Sequence, residues 1–289
     1  MRPTWLPSGS RIGIVAPSHR WFEGHYTAGK EWLTQHGYDD LVEIGIDGQY
    51  RRYAGTDEHR ISALNEALHR DDLDAVWILR GGSGLTRILG KIVWEHVTSK
   101  PLIGFSDATP LLDAWGQRGH IAIHGPVVHS LSRTDDASTS HLLALLQGDS
   151  LTPLAGRELV SGSAHAAIVG GNLCLLAATC GTPHQIDARG KILALEEIGE
   201  QPYKIERMLM QLADAGVFAG IAGVALGGFE GCQPPDGATW SLEDIFRDWF
   251  GALGVPVVMD LPFGHGSENW AFPVHRPATL RDGALHLGD

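Results

Sequence analysis

Ala75-Val76-Trp77-Ile78-Leu79-Arg80-Gly81-Gly82-Ser83-Gly84 joins an uninterrupted apolar run to a glycine-rich loop. Five apolar residues in a row leave no polar face, which is the pattern of a parallel strand covered on both sides, and the glycines end it in a turn. Similar units lie on either side. Arg11 to Pro17 reads as a strand followed by a helix that ends near Gly37. Leu41 to Ile46 reads as a second strand, and Thr56 can cap a helix whose Ile61, Leu64 and Leu68 share a face. Beyond the loop the pattern predicts a helix carrying Leu85, Ile88 and Leu89, then a fourth strand over Leu102 to Phe105. A helix from Thr109 to Gly119 and a fifth strand over Ile121 to Ile123 follow. Alternating strands and helices predict an α/β domain built on a parallel sheet.

From Asp135 to His165 the composition turns to Ser, Thr, Asp, Gly and Pro, apart from a short helical stretch over Leu142 to Leu146. The expected division is therefore an N-terminal domain over 1–135, a connection over 136–165 and a smaller α/β domain over 166–289. In that last part Gly170-Gly171 reads as a tight turn between a strand over Ala166 to Val169 and a helix over Asn172 to Cys180. Strands are expected at Ile192 to Glu196, Ile221 to Gly227 and Val257 to Met259, and Ile205, Met208, Leu209 and Leu212 mark a helix face. Ala278 to Leu287 reads as a hairpin turning at Asp282-Gly283.

The chain has 289 residues, 43% hydrophobic and 19% charged, which excludes a disordered or fibrous protein. Lys+Arg 22 against Asp+Glu 34 leaves a net charge of −12, a field that repels nucleic acid and anionic lipid. Cys174, Cys180 and Cys232 form an odd set without a C-x-x-C pair, so neither a disulfide framework nor a thiolate zinc site is indicated. With no apolar run of signal or membrane-spanning length, a cytoplasmic location is expected.

Reactive groups in open parallel sheets collect at the carboxyl ends of the strands. The fourth strand ends in Gly104-Phe105-Ser106-Asp107-Ala108, a partial match to the elbow that projects a nucleophilic serine, with Ala108 in place of the last glycine. The alternative is Ser106 as a helix cap. The loop Arg80 to Gly84 closes the neighbouring strand, where its N–H groups could form an oxyanion hole; a plain tight turn explains the glycines as well. A serine needs a base, and His265, in the glycine-flanked loop Asp260 to Gly266, is a candidate among 15 histidines. Glu196 and Glu197 close an apolar strand on opposite faces, and either could cap the next helix or orient the base. His120, His124 and His129 lack the acid spacing of a metal motif, while Asn172, Cys174 and Cys180 read as structural.

Taken in order, several short stretches resemble the LD-carboxypeptidase family of serine peptidases, which includes the muropeptide LD-carboxypeptidases and the microcin C immunity peptidases. They are Gly13-Ile14-Val15-Ala16-Pro17-Ser18, Arg80 to Gly84, Ile103 to Asp107, His124-Gly125-Pro126, Gly170-Gly171-Asn172-Leu173 and Gly181-Thr182-Pro183. Leu195 to Glu200, Pro202 to Leu209 and Gly264-His265 complete the set. The resemblance implies a Rossmann-like N-terminal domain, similar to class I glutamine amidotransferases, joined to a smaller α/β C-terminal domain. It implies Ser106 as nucleophile, His265 as base and Glu196 as the acid of a triad formed across the domain boundary. The oxyanion donors would be the N–H of Asp107 and that of Gly81 or Gly82.

The implied reaction is release of the terminal D-alanine of a murein tetrapeptide, in peptidoglycan recycling, without metal or cofactor. Ser83 and Phe105 depart from the aromatic residue and the tyrosine usual at those places, which bears on the pocket wall. A free terminal carboxylate calls for a cation, and Arg80, Arg87 and Arg207 are the candidates. The expected partner is a small peptide; a homodimer is allowed. The rival readings are an aminoacyl-nucleotide antibiotic or a dipeptide as substrate, and a non-catalytic small-ligand binder.

Overall fold

The structure, a computed structural model, describes residues 4–288. The chain divides into two compact units, residues 1–150 and 151–289. In the N-terminal unit β1 (Ile12–Val15), α1 (Glu23–Gln35), β2 (Leu41–Ile44), α2 (Asp57–His69), β3 (Ala75–Ile78), β4 (Leu102–Gly104), α3 (Thr109–Gln117) and β5 (Ala122–His124) follow one another. These five strands pair in parallel in the order β5-β4-β3-β1-β2. Every residue of β1, β3, β4 and β5 is buried, which is why those runs contain so few polar residues, whereas the edge strand β2 buries only Ile44 fully and leaves Glu43 exposed. Thr56 caps α2 by accepting the His59 N–H at 3.3 Å.

Two expectations fail here. The segment after Gly84 is not an α-helix but two short 3₁₀ turns, Leu85–Arg87 and Leu89–Lys91. An α-helix would use the Gly84 carbonyl for the N–H of residue 88. Here that carbonyl takes the Arg60 guanidinium at 2.8 Å and the Arg87 N–H at 3.3 Å. The Asp107 carboxylate meanwhile accepts the Leu85 N–H at 2.9 Å. Nor is 136–165 a connection. Its first part is α4 (Asp136–Gln147), capped by Asp135 and ended by Gly148 in the left-handed region, and it belongs to the N-terminal unit. Its last part supplies β6 (Leu154–Ala155), β7 (Arg157–Val160) and the start of the next strand. Polar composition marked exposed helix and edge-strand faces rather than a linker.

The C-terminal unit continues with β8 (Ala164–Asn172), α5 (Leu173–Thr179), β9 (Ile192–Ile198), α6 (Pro202–Asp214), β10 (Gly223–Glu230), α7 (Leu242–Phe250), β11 (Val257–Met259), β12 (Phe272–Val274), β13 (Arg276–Arg281) and β14 (Ala284–Leu287). Its mixed eight-stranded sheet has the order β6-β14-β13-β8-β9-β10-β11-β7, with β8 to β11 parallel. Gly170 and Gly171 are not a turn; they are the end of β8, at φ 117° and 142°. A Cβ on Gly170 would stand 2.1 Å from the Ala194 carbonyl oxygen, so glycine is what lets β8 lie close to β9. The expected hairpin forms, with Asp282 and Gly283 both at positive φ. The core packs Ile205, Leu209 and Leu212 of α6 and Phe246 and Phe250 of α7 against Leu193, Leu195, Val224 and Leu226. Among the described residues, no helix is long and apolar enough to cross a membrane.

Candidate active site

Ser106 follows β4 and has φ 62°, a left-handed backbone that a side chain adopts only under constraint. The cap reading does not hold: the N-cap of α3 is Ala108, which makes no side-chain cap bond. Gly104 allows the bend, since a Cβ there would come within 2.9 Å of Ile78 and 3.2 Å of the Ala108 methyl. Across from it, a Cβ built on Gly81 would lie 3.1 Å from Ser106 Cβ, 3.2 Å from its Oγ and 3.6 Å from the Asp107 nitrogen. A small space thus opens between Gly81, the serine hydroxyl and the Asp107 N–H, of the kind a reacting carbonyl occupies.

The surrounding loop is fixed by groups that spacing did not reveal. Arg60, fully buried, donates to the carbonyls of Pro17 and Gly84 and pairs with Asp57 at 2.5 Å. The Asp107 side chain, also buried, ties Leu85 to the serine turn, and burial pushes its pKa up. Gly82, at φ 108°, has the His19 ring where a Cβ would be, and His19 Nε2 is 2.9 Å from Ser83 Oγ. Burial and then Arg80 lower the His19 pKa, which favours its neutral form. Ser83 therefore joins a polar pair in the loop.

In the C-terminal unit, Glu196 and Glu197 leave β9 in different directions, as alternation requires, and both are buried. Glu197 holds the start of α5, accepting from Cys174 N at 2.8 Å and Asn172 Nδ2 at 3.0 Å. Burial dominates its environment and raises its pKa. Glu196 Oε2 lies 2.7 Å from His265 Nδ1. The loop carrying His265 is pinned by Leu261 N–H to Leu226 O at 3.0 Å and by Gly228 N–H to Phe263 O at 2.8 Å. Gly227 has no room for a side chain beside Phe263, and Gly264, at φ 128°, sets its Cα against Glu196. Burial alone would lower the His265 pKa, but the hydrogen bond and charge of Glu196, with Glu197 and Glu230 beyond, raise it above its ordinary 6.5. A carboxylate only accepts, so Nδ1 carries the proton and Nε2 is left as the basic nitrogen.

The three candidate cations differ. Arg87 is held by both oxygens of Asp57, at 3.1 Å from Oδ1 and 2.8 Å from Oδ2, and Arg207 lies exposed on α6 over the Tyr203 ring. Arg80 stands at the end of β3 over the Phe22 ring. Of the histidines weighed for metal, His120 meets Ser99 and His129 meets His25, and no cluster of three His, Cys, Asp or Glu suited to a metal occurs among the described residues.

The family models described as the LD-carboxypeptidase N-terminal and C-terminal domains match residues 12–125 and 165–280. The murein tetrapeptide carboxypeptidase of Pseudomonas aeruginosa is 35% identical over 98% of this chain and 96% of its own length. The chain belongs to the LD-carboxypeptidase family. Among solved structures, the muramoyltetrapeptide carboxypeptidase of Oxalobacter formigenes is 28% identical with a TM-score of 0.87, covering 97% of this chain and 99% of that one. The microcin C7 self-immunity protein MccF, in complex with aspartyl sulfamoyl adenosine, has a TM-score of 0.89 over 100% and 98% at 19% identity, a likeness of fold.

In this LD-carboxypeptidase the space beside Gly81 gives a direct test. Gly81→Ala places a methyl group against Ser106 and the Asp107 N–H. The expected result is a loss of turnover on the order of a hundredfold, with thermal stability little changed, measured by steady-state kinetics beside a melting curve.

Proposed function

We propose that the chain is a serine carboxypeptidase that cleaves the L-to-D bond holding the terminal D-alanine of a murein tetrapeptide. Ser106 is the nucleophile, His265 the base and Glu196 the acid that orients it. In the first half-reaction His265 Nε2 takes the Ser106 proton as Oγ bonds to the peptide carbonyl carbon. The oxyanion is held by the N–H of Asp107 and that of Gly81 or Gly82. The C–N bond then breaks as His265 returns the proton to the leaving amine, freeing D-alanine. Water, losing a proton to His265, attacks the ester, and Oγ leaves with that proton to restore the serine. Glu196 stabilises the imidazolium at each stage.

The observation that carries this reading is the left-handed backbone of Ser106 beside the space that Gly81 leaves open. The 35% identity to the murein tetrapeptide carboxypeptidase supports the choice of substrate. Arg80 is the preferred cation for the terminal carboxylate, with Ser83 in the pocket wall and Arg207 the less favoured candidate. We place the reaction in the cytoplasm, in the recycling of peptidoglycan peptides.

Incubation with a murein tetrapeptide, followed by mass spectrometry, is expected to yield the tripeptide and free D-alanine in equal amounts. Aspartyl sulfamoyl adenosine in a parallel incubation is expected to turn over more slowly. Faster cleavage of the nucleotide would transfer the reading to that substrate class, and cleavage of neither would favour a binding protein.

A further inference from the structure

The parallel strands β1, β3, β4 and β5 place their carboxyl ends at one edge of the N-terminal sheet, and Ser106 follows β4 there. The segments that follow β1, β3 and β5 bring a second group of side chains to that edge. Arg80 lies 4.8 Å over the Phe22 ring and donates to the Arg20 carbonyl. The Phe22 ring is 6.2 Å from that of His25 and 6.0 Å from that of His129. His25 Nδ1 and His129 Nε2 are 2.9 Å apart, and Arg133 Nη2 is 3.4 Å from His129 Nδ1. Among the described residues, none of Arg20, Arg80 and Arg133 forms an ion pair with a carboxylate. In a chain of net charge −12, that concentration of unpaired cations is unusual.

The hydrogen bonds also fix the direction of every donor. A guanidinium only donates, so His129 Nδ1 accepts from Arg133 and its proton sits on Nε2. His129 then donates to His25 Nδ1, which leaves the His25 proton on Nε2. Burial, then Arg80, His25 and Arg133, hold the His129 pKa down at about 4, so the ring is neutral and has the single proton this chain of donors requires. Arg80 is itself depressed by burial, Arg133 and Arg20, a repulsion that a bound anion relieves. His25, Arg20 and Arg133 are exposed, and Phe22 is half exposed beside them.

We propose that Arg80, Arg133 and the His129–His25 pair form a carboxylate subsite, which takes the free terminal carboxylate of the peptide and packs the alanine methyl against Phe22. The donor-only character is independent of the reaction; the identity of the anion rests on the carboxypeptidase reading. Arginine pairs suit a planar carboxylate, and charge-assisted bonds are the stronger ones.

The test is a titration of the intact protein with N-acetyl-D-alanine and with N-acetyl-D-alaninamide, followed through the imidazole NMR resonances of His25 and His129. Those resonances are assigned from the His25→Gln and His129→Gln spectra. The acid is expected to shift both resonances to saturation and the amide to leave them in place. Arg133→Gln, a change at an exposed position, is expected to weaken acid binding about tenfold. Resonances unmoved by the acid, or moved equally by the amide, would overturn the subsite. Neither readout depends on turnover, so a chain that fails to hydrolyse tetrapeptide yet binds the acid in this way would contradict the reaction and leave the subsite standing.

Discussion

Ser106→Ala is expected to lower kcat on a murein tetrapeptide by about a thousandfold or more, while the protein stays folded and still binds the peptide. The size follows from the proposed chemistry: with Ser106 as nucleophile, removing the hydroxyl prevents the acyl-enzyme, and only binding and the oxyanion donors remain. The fold should tolerate the change, because alanine removes one oxygen and the turn is held by other groups. These are the Asp107 carboxylate on Leu85 N–H, and Thr109 Oγ1 donating to the Ser106 carbonyl at 2.8 Å. The left-handed backbone at 106 persists in alanine at similar cost. Steady-state kinetics with a melting curve check both parts, and a variant that retained turnover would remove Ser106 from the mechanism.

Glu196→Gln is the second large effect, a fall in kcat on the order of 10³- to 10⁴-fold. Glutamine can offer its NH₂ to His265 Nδ1, which then accepts and leaves the proton on Nε2, the nitrogen proposed as base. The pH profile carries a second signature. As the proposed base, His265 must be neutral to accept a proton, so activity in the unaltered protein should rise with pH through an apparent pKa above 6.5. In the variant the hydrogen bond and charge of Glu196 are gone while burial remains, so that limb should move to lower pH. The pairing also stabilises the fold at pH below 6.5, and that contribution fades as pH rises through the raised His265 pKa. A limb at the same pH in both proteins would show that Glu196 does not act on the titrating group.

Much of the fold was legible because the strands are short and fully buried, so hydrophobicity alone marks them: Ala75–Ile78 and Leu102–Gly104 lie where the pattern puts them. Apart from the polar stretch after Asp135, where exposed faces read as a linker, the misses share a cause, a contact made to the backbone by a residue distant in sequence. Leu85 to Lys91 has helical spacing, but Arg60 and Asp107 claim the groups a helix would use. Gly170-Gly171 has turn composition, yet the close approach of Ala194 makes it part of a strand. At the site, alternation separated Glu196 from Glu197, and only the contacts with His265 and with Cys174 and Asn172 distinguish their tasks. Arg60, His19 and the His25–His129 pair carried no signal in the sequence, since each acts through residues that neither motif nor period connects.

The central claim is that the His265 imidazole activates the Ser106 hydroxyl, and it can be measured without any peptide. The rate at which a fluorophosphonate probe labels Ser106, read by mass spectrometry across pH, should rise with deprotonation of a group of pKa above 6.5 and fall at least about a hundredfold in His265→Ala. Labelling of Ser106 at an undiminished rate in His265→Ala would contradict the account.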